Sequence, residues 1–345
     1  MRTSLYWEAF AEATVRRLVR PKPGDPFLII TNTAGDISLA EACLAAGLRA
    51  GADTQLIVKP RPARGAASKL GPILSDAIRA SKFILELCNE GVIVRDPATV
   101  EARSKGTRVL VTGVKGIEDY VVRALLDVDY EAMIRNAELV AKLWDQTEHC
   151  RVTSPQGTDV SFDLMPRKSV IGDGALTEDG EVDFFPGAQV SIAPVEETIN
   201  GTAPVEETIN GTIVIDASDS VQGVVHTPYS FTMKNGVITA IEGGKEADVM
   251  RNWLESRNDE KIYRLCHFSV GLNPQAGISG DMVEDERMLA AVDFGFGYQD
   301  PKFGGTVGLS PYHEDVMLAT PTIYLDGKEM SGGGKLNPEM GFEAM

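Results

Sequence analysis

Residues 312–320 read YHEDVMLAT and carry His313 and Asp315 two positions apart. In an extended strand, side chains two apart leave the same face. This spacing would therefore aim an imidazole and a carboxylate at one point. The chain has only 4 histidines in 345 residues, so each is informative, and a second one, His267, sits in another apolar run, LCHFSVGLNP. Two histidines and one carboxylate are the donor set of mononuclear Fe(II) oxygenases, whose remaining coordination positions stay open to substrate and O2. The same H-x-D spacing also suits a plain His–Asp hydrogen bond with no metal. Spacing alone leaves both readings standing.

Other reactive side chains are read more plainly. The 4 cysteines are scattered without a C-x-x-C pair, which fits reduced thiols in a cytoplasmic protein. Cys266 adjoins His267, but neighbours on a strand face opposite ways, so a core thiol is expected there and not a co-ligand. The EDER run, 284–287, is expected to be a solvated helix start, with Arg287 the side chain suited to holding a substrate carboxylate. Glu178 and Glu181 lie in an acidic loop, TEDGEVDFF. That loop reads as a solvated turn, or as a flap bringing Glu178 to a substrate. His226 in VVHTPYS reads as an ordinary core or surface histidine. No phosphate loop, Ser-His-Asp order or nucleotide fingerprint is present.

These residues need a scaffold, and the chain is long enough for two domains. Its formal net charge of -17 argues against nucleic acid or an anionic membrane surface as partner, since both require basic patches. No apolar run approaches the length of a membrane span. The first 20 residues read as an amphipathic helix and not a signal peptide. Beyond them, strand-like runs at 27–31, 55–58, 82–87 and 108–112 alternate with helix-like runs at 36–48 and 74–80. That alternation predicts a parallel sheet covered by helices. A longer amphipathic helix is predicted over 129–144, with Met133, Ala137, Val140, Ala141 and Trp144 on one stripe.

Past Cys150 the pattern becomes short strands with Gly, Asn and Asp turns. Asn235-Gly236, between runs at 229–233 and 237–241, predicts a tight hairpin. The expected organisation is an α/β domain over 1–150 with a parallel sheet, then a β-rich α+β catalytic, metal-binding domain over 151–345. All three metal-ligand candidates fall in the second.

Residues 193–202 read APVEETINGT, and 203–212 repeat them without a mismatch. Solenoid periods drift and need at least three copies, so this is read as a recent duplication. Ten residues preserve strand alternation. One copy is expected to keep the older place in a sheet while the other extends a surface loop.

Several phrases align with a known family: PGAQVSIAP, NGTIVID, KNGVITAIEGGKEADVM, HFSVGLNP, EDERMLAAVDFGFG and FGGTVGLSPYHEDVMLATPTIYLDG. Together they resemble the leucyl-aminopeptidase-like family related to the thermophilic metalloaminopeptidases. Within it they are most similar to the branch of ring-cleaving dihydroxypyridine dioxygenases. The resemblance implies an Fe(II)-dependent, extradiol-type ring-cleaving enzyme acting with O2 on a hydroxylated aromatic ring such as a pyridine, and a homo-oligomer. It implies His267, His313 and Asp315 as the iron ligands. Asp293 is the candidate catalytic base, or else a solvated or hydrogen-bonded strand aspartate, and Tyr312 either donates a hydrogen bond to substrate or oxygen or packs at the domain edge. The alternative, a metal-dependent aminopeptidase or amidase, implies a ligand glutamate where this chain has Gln189, a weak neutral donor. One departure concerns the ring pocket. The resemblance implies further histidines there, yet 183–185 are Asp, Phe and Phe, and only His149 and His226 remain.

Overall fold

The computed structural model describes residues 2–61, 70–88, 93–94, 96–112, 118–198 and 211–345. The chain forms two compact units, Met1–Val128 with Gly172–Gly187, and Asp129–Ile171 with Ala188–Met345.

The first unit holds a five-stranded parallel sheet in the order Asp53–Lys59, Pro26–Asn32, Phe83–Leu87, Arg108–Val111, Val182–Phe184. The apolar runs at Phe27–Ile30 and Phe83–Leu85 are almost wholly buried, as expected of strands covered on both faces. The helix Ile37–Arg49 begins where the Asp36 carboxylate accepts from the N–H groups of Ser38 and Leu39. Such a cap satisfies donors that the first helical turn leaves orphaned.

The second unit is two antiparallel sheets of eight and seven strands. In the larger, strands Tyr229–Lys234 and Val237–Glu242 meet through Asn235 and Gly236, both at positive φ (50° and 77°), as a tight hairpin turn requires. In the smaller, Ser218–Asp219, His313–Leu318, Val292–Gly297, Leu265–Gly271 and Gln189–Ile192 lie side by side in that order. The sheets share an aromatic core. Phe162 of the larger meets Phe268 and Phe294 of the smaller at 5.0 and 6.3 Å, and Phe231 meets Phe296 at 5.5 Å. Edge-on aromatic pairs of this kind add about 0.5–1.5 kcal/mol each beyond the area they bury.

An α/β unit and a β-rich unit are thus both present, but their boundary differs from one near residue 150. The helix Tyr130–Trp144 groups with the second unit, where its apolar stripe ends in Trp144 stacked on Phe268 at 4.7 Å. The chain also returns to the first unit at Gly172–Gly187 to add the edge strand Val182–Phe184. Three residues recruited from a distant part of the chain carry no periodicity that could announce them.

Of the duplicated decapeptide, residues 199–210 lie outside the described residues. The described part of the first copy is built into the second unit. Glu196, 3% exposed, pairs with Arg167 at 2.7 Å and accepts from the N–H of Thr306. Thr212, which closes the second copy, begins the strand Thr212–Ile215. No helix among the described residues is long and apolar enough to cross a membrane.

Candidate metal centre

Strand alternation sorts the smaller sheet into two faces. Phe268, Val270, Phe294, Phe296, Val316 and Leu318 turn into the aromatic core and are fully buried. The opposite face carries the chemistry. Register places Asp315 beside Gly295 and His313 beside Gly297, with His267 on the far side of Gly295. Gly295 is therefore the floor between ligand candidates, and it has to be bare. A Cβ there would lie 2.1–2.6 Å from three atoms of the His267 ring.

His313 and Asp315 approach each other from one strand, but His267, His313 and Asp315 do not all lie within 4.8 Å of one another. The groups that do are His267 with Asp293 and Asp315, and Cys266 with His267 and His313. Asp315 Oδ1 lies 3.0 Å from His313 Nε2 and 3.6 Å from His267 Nε2. Asp293 Oδ2 lies 2.7 Å from the same His267 nitrogen. The two imidazole rings are nearly parallel, 5.3 Å apart. Exposure falls from 28% for the His313 side chain through 12% for His267 and Asp315 to 0% for Asp293, so the cluster opens at His313 and Asp293 is its floor.

The contacts around the two aspartates leave one oxygen unused. Asp293 Oδ1 is buried without a hydrogen-bond partner, whereas Asp315 Oδ1 pairs with His313 Nε2 at 3.0 Å. Burying a carboxylate oxygen without a partner costs several kcal/mol. A cation set among these oxygens and two imidazole nitrogens would remove that cost, so the residues present fit a metal ion.

The charges of the cluster are coupled. Burial, reinforced by Asp315, pushes the Asp293 carboxyl well above the usual carboxylate range. Burial would push Asp315 up too, but the His313 charge beside it prevails and holds it low. His313 is correspondingly raised, its own burial being outweighed by Asp315. The backbone of Asp315 is clamped, its N–H donating to Ser220 Oγ at 3.1 Å and its carbonyl accepting from the Ser220 N–H at 3.0 Å.

The EDER run is not a solvated helix start. Glu284, Asp285 and Arg287 are all buried. Asp285 accepts from the N–H groups of Ser279 and Gly280. Arg287 donates to Met282 O at 3.3 Å and pairs with Glu286 at 2.5 Å. The segment crosses the end of the Leu265–Gly271 strand because Gly271 has no side chain, and a Cβ there would sit 2.3 Å from Met288 O. Glu286, which the sequence reading left as a solvated residue, is pushed up to about 8 by burial and by Asp315 and Asp293, against the pull of Arg287. Only the mixed charge of EDER hinted at it.

Tyr312 packs its ring against the guanidinium of Arg257 at 5.2 Å, and Arg257 lies over Trp253 at 4.7 Å. Glu178 belongs to the first unit and is exposed, in a turn closed by Glu181, which accepts from the N–H groups of Thr177 and Glu178. His226 is exposed, and His149 pairs with Asp163 on the surface. Gln189 lies opposite Gly271 at the end of its strand pairing. A cavity of about 570 Å³ bordered by His149, Arg151, Asp163 and Tyr324 contains none of the cluster residues.

Cys266 differs from expectation. It is fully buried, as a core thiol should be, but it does not turn away from His267. Its Sγ lies 3.7 Å from His267 Nδ1 and 3.8 Å from His313 Nδ1. The pairing register slips between Leu265 and His267, and a bulge of this kind cancels strict alternation.

Known proteins share this arrangement of chain. Over 264 residues, 73% of this chain and 70% of the relative, the sequence is 25% identical to the 2,5-dihydroxypyridine 5,6-dioxygenase of Pseudomonas putida. The solved structure of the 2,5-dihydroxypyridine dioxygenase from Pseudomonas putida KT2440 superposes with a TM-score of 0.78 at 21% identity, covering 98% of this chain and 99% of that one. Wild-type AmpT from Thermus thermophilus follows at 0.65 and 17%, covering 96% and 99%. These two likenesses establish the fold. The model of the family described as NicX, 2,5-dihydroxypyridine 5,6-dioxygenase, matches residues 8–338, and the chain belongs to that family.

Proposed function

We propose that this protein is a non-haem Fe(II)-dependent, extradiol-type ring-cleaving dioxygenase whose substrate is a hydroxylated pyridine of the 2,5-dihydroxypyridine kind. The observation that carries the reading is a buried cluster of two imidazoles and two carboxylates, with one carboxylate oxygen left without a hydrogen-bond partner, in a chain of the NicX family. His267, His313 and Asp315 would hold the ion. When bound, Fe(II) would supply a Lewis-acidic centre at which a ring hydroxyl and O2 are brought together.

The surrounding side chains have separate tasks. Asp293, whose Oδ2 reaches the His267 nitrogen at 2.7 Å at the buried end of the cluster, takes the ring hydroxyl proton. Arg287, paired with Glu286 beside the cluster, favours an anionic substrate. Tyr312, steadied by Arg257, donates a hydrogen bond to substrate or oxygen. Four scattered, buried cysteines without a C-x-x-C pair support a reducing, cytoplasmic setting, and family resemblance supports a homo-oligomer. The hydrolase alternative is weakened by Gln189, whose neutral amide replaces the carboxylate that a second metal would need.

The test is to purify the protein anaerobically, add Fe(II) and 2,5-dihydroxypyridine, and admit air. Oxygen uptake with loss of the ring absorbance is expected. Peptide hydrolysis dependent on Zn(II) or Co(II), with no oxygen uptake, would overturn the reading in favour of the hydrolase.

A further inference from the structure

We propose that Cys266 is a positioning residue. Its sulfur is shared by the Nδ1 atoms of His267 and His313 and turns both imidazoles so that their Nε2 atoms face Asp315. The inference rests on the metal reading above but concerns a side chain outside the ligand set.

An imidazole that binds a metal through Nε2 carries its proton on Nδ1, and that N–H needs an acceptor to fix the tautomer and the ring angle. A carboxylate or a backbone carbonyl usually serves. Here, among the described residues, each Nδ1 meets the one sulfur, at 3.7 and 3.8 Å. A single acceptor between two rings also accounts for their near-parallel setting, 27° between planes.

The backbone is shaped to deliver this sulfur. Leu265 pairs with Phe296 and His267 with Gly295, which leaves Cys266 as the extra residue of the bulge. A regular strand would have pointed it into the aromatic core behind Phe268. The bulge is locked through its carbonyl, which accepts from Gln299 Nε2 at 2.8 Å, and Gln299 in turn accepts from the Val307 N–H at 3.1 Å. A cysteine kept only to fill core volume needs neither the bulge nor the lock.

The experiment is anaerobic Co(II) titration of the metal-free full-length chain, reading affinity and the visible ligand-field bands. Wild type is compared with Cys266→Ala, Cys266→Val, Cys266→Ser and His313→Ala. Loss of a partner that orients a metal ligand typically weakens binding about 10–100-fold. Ala and Val should both show that loss together with shifted bands. Ser, which keeps an acceptor, should recover most of the affinity. Val fills the same space without an acceptor, so a folding defect in Ala alone does not decide the matter. Wild-type affinity and unshifted bands in Val, or equal losses in Ser and Val, would overturn the assignment while leaving the metal site intact. Equal Co(II) binding by wild type and His313→Ala would instead sink the metal reading, and the Cys266 assignment with it.

Discussion

Each unit buries carboxylates, and the two handle them differently. In the first, Glu86 is fully buried at the C-terminal end of a parallel strand. Both its oxygens accept from the Ile93 N–H, at 3.0 and 3.1 Å, and Lys59 Nζ lies 3.7 Å away. In the second, Asp293 Oδ2 and Asp315 Oδ1 approach one imidazole nitrogen at 2.7 and 3.6 Å, and Asp293 Oδ1 has no hydrogen-bond partner. Burial alone therefore marks nothing. Glu86 has its own cation and its own N–H and reads as structure. The aspartate pair is held open by Gly295, Ser220 and the aromatic core behind it, and reads as a place for a cation supplied from outside.

The largest effect that sharpens this contrast comes from the second unit. Asp315→Asn or His313→Ala should lower affinity for a divalent metal on the order of 100-fold or more, beyond the range seen for mere supporting residues. The metal-free fold should lose little. Metal content after anaerobic loading checks it, and equal content in variant and wild type would erase the distinction between the two regions. Next comes Gly295→Ala. Its Cβ would press into the His267 ring at 2.1–2.6 Å, so overpacking should cost roughly 1–3 kcal/mol in urea unfolding, with weaker metal binding alongside. Unchanged metal affinity would mean that the ring does not need its present place.

In the first unit the prediction concerns pH. Burial raises the Glu86 carboxyl from 4.5 to about 7, with Ile93 and Lys59 opposing. The folded state then holds this proton more tightly than the unfolded chain. The group's contribution is complete below about pH 4.5 and is lost as pH rises through 7. After relaxation around a buried charge, the change should be about 1–2 kcal/mol. Glu86→Gln should remove that slope from the pH dependence of urea unfolding, and a slope that persists would assign it to another group. The smallest effect is on the surface of the second unit. Arg151→Ala breaks a two-bond pair with Asp159, at 2.8 and 2.7 Å, but Arg151 is 40% exposed. The loss should stay under about 1 kcal/mol, measured by the same unfolding curves.

What the sequence revealed follows the same physical line. Strand periodicity is local, so the parallel strands, the Asn235-Gly236 hairpin and the aim of His313 and Asp315 from one strand were legible. The helix at 130–144 was legible as a helix, while the unit that claims it was not, because its partner Phe268 is remote in sequence. Cys266 was misjudged since alternation was assumed through a bulge that only the pairing of Leu265 and His267 reveals. Glu286 and Arg287 looked solvated because charge suggests exposure. Their burial depends on Gly271 admitting a second segment across the strand, and no single-chain pattern encodes that.

The most direct measurement is the iron-edge anomalous signal from crystals of the full-length protein loaded anaerobically with Fe(II). The account predicts a single peak within bonding distance of His267, His313 and Asp315. A peak elsewhere, a second peak at Gln189, or none would contradict it.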